Sequence, residues 1–211
     1  MALFSEDKIT LMAAAGVAAM LPAGALLGTS ASAAPVGEAA PAFKEMNTGG
    51  KEVQLSDFAG KTVILEWTND GCPFVQKHYN SGNMQKTQEA AAKDGAVWLT
   101  VISSKPGSQG AANPRQADKL TADRGAHPTA VLLDPDGSMG KAYGAKTTPH
   151  MYIITPDGKI AYNGAIDSIK SSDIDDVPKA KNYVLAALDA VKAGKKPDPA
   201  LTAPYGCSVK Y

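Results

Sequence analysis

The sequence carries no excess charge of either sign and has few residues that bind metals. Its 21 Lys and Arg residues balance 21 Asp and Glu residues, and it has three histidines and two cysteines in 211 residues. A nucleic-acid-binding surface needs a basic field, so this balance argues against nucleic acid as a partner. The His and Cys spacing matches no zinc motif, so we expect no metal and no other cofactor.

Residues 1–33 predict a cleaved signal peptide. An apolar run over residues 9–28 precedes Ala31-Ser32-Ala33, the small-x-small pattern that signal peptidase reads. We expect cleavage after Ala33, export to the periplasm and no membrane insertion after cleavage. An uncleaved anchor is the alternative, because the run approaches the roughly 20 residues that span a bilayer.

Alternating strand and helix patterns predict one α/β domain over residues 34–194. Residues 62–67 and 96–102 are nearly continuous apolar runs, which are typical of strands covered on both faces. Turn residues punctuate the rest, and residues 34–50 have the composition of a leader loop. We expect a central mixed sheet flanked by helices, followed by an irregular tail over residues 195–211 that carries Cys207.

Further elements follow from local signals. Prolines suit the first position of a helix, and an apolar pair of segments around a Pro-Asp-Gly turn predicts a β-hairpin. The expected elements are helices from Pro73 to Gly95 with an interruption near Ser81-Gly82-Asn83, a helix after Asn113-Pro114, a hairpin over 150–166 and a closing helix over 177–194.

Cys72 stands where a strand gives way to a helix, and this place predicts a reactive thiolate. Asp70-Gly71 allow a tight turn before it, and Pro73 fixes the helix start. Unpaired amides and the helix dipole lower the pKa of such a thiol from about 8.5 to about 7 or below. We therefore expect Cys72 to be a nucleophile. A buried, inert core thiol is the alternative.

The combination of Trp67, Cys72-Pro73 and Thr148-Pro149 with the hairpin and final helix resembles the thioredoxin superfamily. The segments CPFVQKHY, GNMQ, SSKPGSQG, TTPH and YNGAID are similar, more narrowly, to peroxiredoxin-like redoxins of the alkyl hydroperoxide reductase and thiol-specific antioxidant family. This resemblance implies a thioredoxin-like fold with Pro149 cis and packed beside Cys72. It also implies that Thr148 offers its backbone to an extended substrate.

The chain departs from the patterns of its relatives at the nucleophile. Val75 stands where a Cys-x-x-Cys thioredoxin has its second cysteine. Leu65 and Asn69 replace the proline and threonine of the peroxiredoxin pattern Pro-x-x-x-Thr-x-x-Cys, and Thr68 is one residue off. Peroxide reduction and thiol–disulfide exchange therefore both remain as expectations.

Cys207 is the candidate second sulfur. A similar Gly-Cys-Ser tail belongs to the family pattern, and we expect Cys207 to resolve Cys72 through a reversible disulfide. A permanent structural disulfide and an unpaired thiol are the alternatives.

Three other side chains have candidate roles. His150 follows Pro149 and either approaches Cys72, as a proton partner or a stabiliser of its thiolate, or packs at a strand start. His78 is expected at the surface. Glu66 interrupts an apolar strand and is expected either to transfer protons or to lie at a solvated edge.

Together these features predict an exported thiol oxidoreductase with antioxidant or disulfide-exchange activity. Cys72 and Cys207 are the expected catalytic residues, and Thr148, Pro149 and His150 are the expected substrate-binding residues. The expected partner is a protein disulfide or dithiol, or a hydroperoxide. The rival hypothesis is a non-catalytic module that holds a peptide in the Thr148-Pro149 groove, since fold alone does not set function.

Overall fold

The computed structural model describes residues 34–211 together with Met1, so the predicted signal peptide lies outside the described residues. The strands are β1 (Lys44–Asn47), β2 (Glu52–Gln54), β3 (Val63–Trp67), β4 (Val97–Ile102), β5 (Ala130–Leu133), β6 (Thr147–Thr148), β7 (His150–Ile154), β8 (Ile160–Gly164) and β9 (Cys207–Ser208). The helices are α1 (Pro73–Asn80), α2 (Asn83–Lys93), α3 (Pro114–Asp123), α4 (Ser138–Tyr143) and α5 (Tyr183–Lys192), with 3₁₀ turns at Leu55–Phe58 and Ile174–Lys179.

Seven strands form one mixed sheet in the order β2-β1-β5-β4-β3-β7-β8. Strand β3 lies inside the sheet next to the central strand β4, parallel to β4 and antiparallel to β7. Strand β4 is also parallel to β5, while β1 is antiparallel to both of its neighbours. The predicted central mixed sheet flanked by helices is confirmed.

Hydrophobic side chains of β3 alternate between two cores, one on each face of the sheet. Ile64 packs with side chains of α1, α2 and α5. Leu65 and Trp67 point to the opposite face and pack with Tyr143 of α4. All five residues of β3 are buried, which explains its continuous apolar pattern.

Two predicted local features around the first helix are confirmed. Cys72 is the N-cap of α1, with an extended backbone at φ −91° and ψ 117°, and Pro73 is the first helical residue. The helix ends at Asn80, and Gly82 adopts a left-handed conformation at φ 72° before α2 begins. The glycine supplies a backbone angle that side-chain-bearing residues rarely adopt, so it separates the two helices.

One predicted irregular segment contains a strand, and the other is largely irregular as predicted. Residues 34–50 were expected to form a leader loop, but Lys44–Asn47 pairs with β2 and β5 and extends the sheet. The tail over residues 195–211 is largely irregular, and within it Cys207–Ser208 forms a short strand that pairs with β6. Both segments are too short to show a strand periodicity, and their partners come from elsewhere in the chain.

Within residues 34–211, none of the helices combines the length and apolar character needed to cross a bilayer.

Candidate active site

The turn that carries Cys72 is held by side chains of two loops. The Asn69 carboxamide accepts from the Gly71 amide at 2.9 Å and donates to the Gln109 carbonyl at 3.0 Å. Gln109 in turn donates to the Gly71 carbonyl at 2.9 Å. A Cβ on Gly110 would lie 2.4 Å from the Asn69 side chain, so the loop packs closely. The loop over 103–112 therefore lies at the Cys72 edge, as predicted.

Cys72 is buried but has polar neighbours. Its side chain has no solvent exposure, and its thiol donates to the Thr148 carbonyl at 3.1 Å. The Thr148–Pro149 peptide is cis, as the family resemblance implied. The burial fits the alternative of an inert thiol, whereas the polar contacts fit a nucleophile held next to the proline.

The tail brings Cys207 to the same place. In β9 Cys207 pairs with Thr148 of β6 in an antiparallel register. Both cysteines are free thiols, and Cys207 packs against the buried cluster that contains Cys72. The structure therefore brings together Cys72, Cys207 and the Thr148-Pro149 pair from three separate parts of the chain.

The two thiols have opposite pKa shifts. Burial raises the pKa of Cys72, but hydrogen bonds from the Cys207 thiol, the Thr148 hydroxyl and the amides of Cys207 and Val75 outweigh it and lower the pKa below its ordinary value. For Cys207, burial and the contact with Cys72 raise the pKa to about 11. Cys72 is thus the thiol that ionises first, with Cys207 as the proton-bearing donor.

His150 is bonded away from the sulfur. Its Nδ1 accepts from the Lys146 amide at 3.2 Å, so Nε2 carries the proton and donates to the Asn163 side chain at 2.8 Å. Burial is the main cause that lowers the pKa of His150 to about 4. The ring also lines a surface cavity of about 560 Å³ beside Thr147 and residues 201–204 of the tail. Of the two expected roles, packing at a strand start fits these contacts.

A buried cluster that the sequence reasoning missed lies under the tail. Lys77 donates to Asp167 at 3.2 Å, with side chains 0% and 2% exposed. The Tyr205 hydroxyl also donates to Asp167, and its ring meets Phe74 edge-on at 5.8 Å between centroids. Tyr205 stands two residues before Cys207 in the sequence, so this cluster anchors the tail next to the thiols.

His78 belongs to this cluster, and its predicted surface position is wrong. The residue is fully buried, with Nε2 3.3 Å from the Tyr205 hydroxyl and Nδ1 2.9 Å from the Asn83 side chain. Burial lowers the pKa of His78 to about 4. Consecutive polar residues on a helix usually indicate a solvent-exposed face. Burial of these polar side chains is favourable here only because Asp167 and Tyr205, which are distant in the sequence, bond to them.

Glu66 is buried in the layer between the sheet and the helices, so the solvated-edge alternative is wrong. Its carboxylate accepts from Tyr79 at 2.7 Å, Trp98 at 2.9 Å and Thr100 at 3.1 Å. Burial raises the pKa of Glu66 despite these donors. Its hydrogen-bond partners lie on α1, α2 and β4, and a role in proton transfer stays a prediction.

Across the described part of the chain, no grouping of three or more His, Cys, Asp or Glu side chains is suited to a metal ion.

Residues 35–184 match the sequence profile of the Redoxin family. The chain belongs to the Redoxin family. The matched range of this redoxin contains Cys72, Thr148 and Pro149 and ends before Cys207, so the tail lies beyond the shared domain.

Individual relatives are similar over different lengths. The thiol-disulfide oxidoreductase ResA of Bacillus subtilis (strain 168) is 27% identical over 131 residues, which cover 59% of this chain and 64% of ResA. The structure of an uncharacterized conserved protein from Geobacillus kaustophilus is 27% identical with a TM-score of 0.74, covering 84% of this chain and 92% of that one. A candidate thiol:disulfide interchange protein DsbE from Chlorobium tepidum is 25% identical with a TM-score of 0.51, covering 62% and 85%.

Proposed function

We propose that this redoxin is a thiol–disulfide oxidoreductase in which Cys72 is the nucleophile and Cys207 the resolving thiol. The observation that carries the proposal is the pairing of Cys207 with Thr148, which sets its thiol against that of Cys72. The opposite pKa shifts support the division of roles, because the thiolate is the attacking species. The names of ResA and the DsbE candidate support the reaction class.

The proposed reaction is a two-step exchange. The Cys72 thiolate attacks one sulfur of a partner protein's disulfide, forms a mixed disulfide and releases the partner's other sulfur as a thiolate. Cys207, after losing its proton, then attacks the Cys72 sulfur and releases the second partner thiol. Two electrons pass from Cys72 and Cys207 to the partner, which leaves a Cys72–Cys207 disulfide. The reverse sequence oxidises a partner dithiol.

Thr148 and Pro149 are the proposed substrate-binding residues. The Thr148 backbone already forms a strand pair with the tail, so it can pair with an extended segment in the same way. His150 would stabilise the strand next to Thr148 and Pro149 through its hydrogen bond with Asn163, without contacting the substrate.

Export to the periplasm is part of the proposal. It is supported by the signal-peptide pattern that ends at Ala33. An oxidising compartment would allow the cysteine pair to cycle.

A hydroperoxide is the second candidate substrate. Attack by Cys72 on a peroxide would give a sulfenic acid and an alcohol or water, and condensation with Cys207 would release water and give the same disulfide. The nearness of Cys207 to Cys72 supports peroxide reduction as well as disulfide exchange. The side chains around Cys72 support peroxide reduction less, because Asn69 and Arg124 already have other hydrogen-bond partners: Asn69 is bonded to the loop, and Arg124 is bonded to Asp70 at 2.9 Å.

Trapping of reaction intermediates tests the proposal. The full chain and its Cys72→Ser and Cys207→Ser variants are mixed with a protein disulfide, or separately with hydroperoxide, and followed by mass spectrometry. We expect Cys72→Ser to abolish turnover and Cys207→Ser to accumulate a mixed disulfide with the protein. Accumulation of sulfenic acid with peroxide alone would favour the second candidate. Free thiols under all conditions would support the non-catalytic binding module instead.

A further inference from the structure

The tail is fixed to the domain on both sides of Cys207. Before Cys207, the Thr202 amide donates to the Asn163 carbonyl at 3.1 Å, and Tyr205 bonds to Asp167. After it, the Val209 amide donates to the Lys146 carbonyl at 3.1 Å. Cys207 therefore lies between contacts that fix the tail to the domain on both sides.

The last residue provides a second aromatic anchor. The Tyr211 hydroxyl donates to the Ala145 carbonyl at 2.8 Å. Its ring lies directly on two glycines, since a Cβ built on Gly137 or Gly140 would come within 2.4 Å or 2.5 Å of ring or hydroxyl atoms. The absence of side chains at these two positions creates the seat for Tyr211.

Between the two tyrosines the backbone itself contacts the site. Gly206 has φ +138°, and a Cβ there would lie 2.0 Å from the Thr148 carbonyl oxygen. Next to it, Cys207 pairs with Thr148, while Cys72 has no exposed surface. The tail therefore occupies the edge that an extended substrate needs and covers the sulfur that the substrate must reach.

We propose that the tail is a latch anchored by Tyr205 and Tyr211, and that an extended, cysteine-bearing segment of a partner protein must displace it from Thr148 before Cys72 can react. The inference rests on the proposed function for its substrate and deepens it. The latch places Cys207 where a substrate cysteine would lie. The pairing of Cys207 with Thr148 therefore excludes the partner protein and also positions Cys207 to form the disulfide with Cys72. Release of the anchors speeds access to Cys72 and slows closure of the Cys72–Cys207 disulfide.

Labelling of Cys72 by a maleimide tests whether the latch controls access. In the full chain with Cys207→Ser, Cys72 is the single cysteine, and its labelling rate is compared with that of the same chain in denaturant. We expect slow labelling in the folded protein. Adding Tyr211→Ala should raise the rate about tenfold or more, because loss of one hydrogen bond and its packing shifts a local opening equilibrium by about that factor.

Gly140→Ala perturbs the contact between Tyr211 and the domain by changing the domain residue instead of the tyrosine. The new methyl group would displace the Tyr211 ring, while alanine suits the helix better than glycine. Labelling should rise as with Tyr211→Ala, and the two changes together should give no further rise. Gly49→Ala is the matched control, because its Cβ would meet no atom closer than 3.4 Å. Circular dichroism confirms that each variant is folded.

Two further readouts use chains that keep both cysteines. With Tyr211→Ala, reduction of a protein disulfide should become faster at low partner concentration, and closure of the Cys72–Cys207 disulfide by diamide should become slower. Fast labelling with intact anchors, or no change with Tyr211→Ala and Gly140→Ala, would overturn the latch and leave the proposed function standing. Variants that expose Cys72 yet exchange with no protein disulfide would overturn the proposed function and leave the latch standing.

Discussion

Replacement of Asp167 by asparagine removes the charge that pairs with Lys77 beneath the tail. The Lys77 ammonium lies 3.2 Å from the Asp167 carboxylate and 3.1 Å from the Ile169 carbonyl, and neither side chain of the pair is more than 2% exposed. Asparagine keeps the shape and one acceptor oxygen. The substitution therefore leaves the packing in place and strands a buried positive charge.

The expected cost is large for a single substitution. Removal of one partner from a buried ion pair costs about 3–5 kcal/mol, because the remaining charge has lost its compensation away from water. A domain of this kind has a total unfolding free energy of about 5–15 kcal/mol. We therefore expect Asp167→Asn to remove about a fifth or more of the stability and to weaken the anchor at Tyr205.

Urea unfolding at pH 7 under reducing conditions measures this loss. The matched control is Asp123→Asn, whose carboxylate pairs with Lys119 at 2.6 Å but with side chains 57% and 74% exposed. An exposed pair of this spacing contributes about 0.3–0.5 kcal/mol. Replacement of both buried partners, as Lys77→Met with Asp167→Leu, should recover the part of the loss that comes from the buried charge, although the Tyr205 hydroxyl still loses its Asp167 acceptor. If Asp167→Asn cost no more than Asp123→Asn, the described burial of this pair would be incorrect.

Three further predictions concern the thiols and the buried histidine. Gly206→Ala should prevent docking of the tail, since its Cβ would lie 2.0 Å from a backbone oxygen, and we expect diamide to close the Cys72–Cys207 disulfide more slowly in this variant. Gly37→Ala is the control, because Gly37 also has a positive φ of +92° but its Cβ would have no atom within 4 Å. Equal closure rates in the two variants would contradict the prediction. The alkylation rate of each cysteine is measured as a function of pH by mass spectrometry. We expect Cys72 to have the lower titration midpoint and Cys207 a midpoint near 11, since their contacts shift the two pKa values apart. The reverse order of midpoints would refute the assigned roles. Burial holds the pKa of His150 at about 4, against 6.5 in the unfolded chain. Between pH 6.5 and pH 4 the unfolded chain therefore binds a proton that the folded chain does not. As the pH falls through this range, the unfolding free energy should decrease by about 1.4 kcal/mol per pH unit more in the wild type than in His150→Gln. Parallel pH profiles for those two proteins would show that the ring titrates normally.

Local signals in the sequence were enough to predict the frame of the site. Continuous apolar runs predicted β3 and β4, and the proline after Cys72 predicted where α1 begins. The cis peptide before Pro149 followed from the family resemblance, since a lone proline in a sequence does not reveal its isomer. These features depend on residues that are adjacent in the chain, and short-range sterics and periodicity report them.

The sequence determined that this chain forms an α/β domain with a cysteine at a helix start, because backbone geometry and apolar periodicity are encoded within a few residues. Only the tertiary structure decided that Cys207 lies against Cys72, that Tyr205 and Tyr211 hold it there, and that His78 is buried rather than exposed. Each of these depends on a contact between segments at least 38 positions apart. No local pattern records such a contact, because its free energy exists only when both segments are folded against each other.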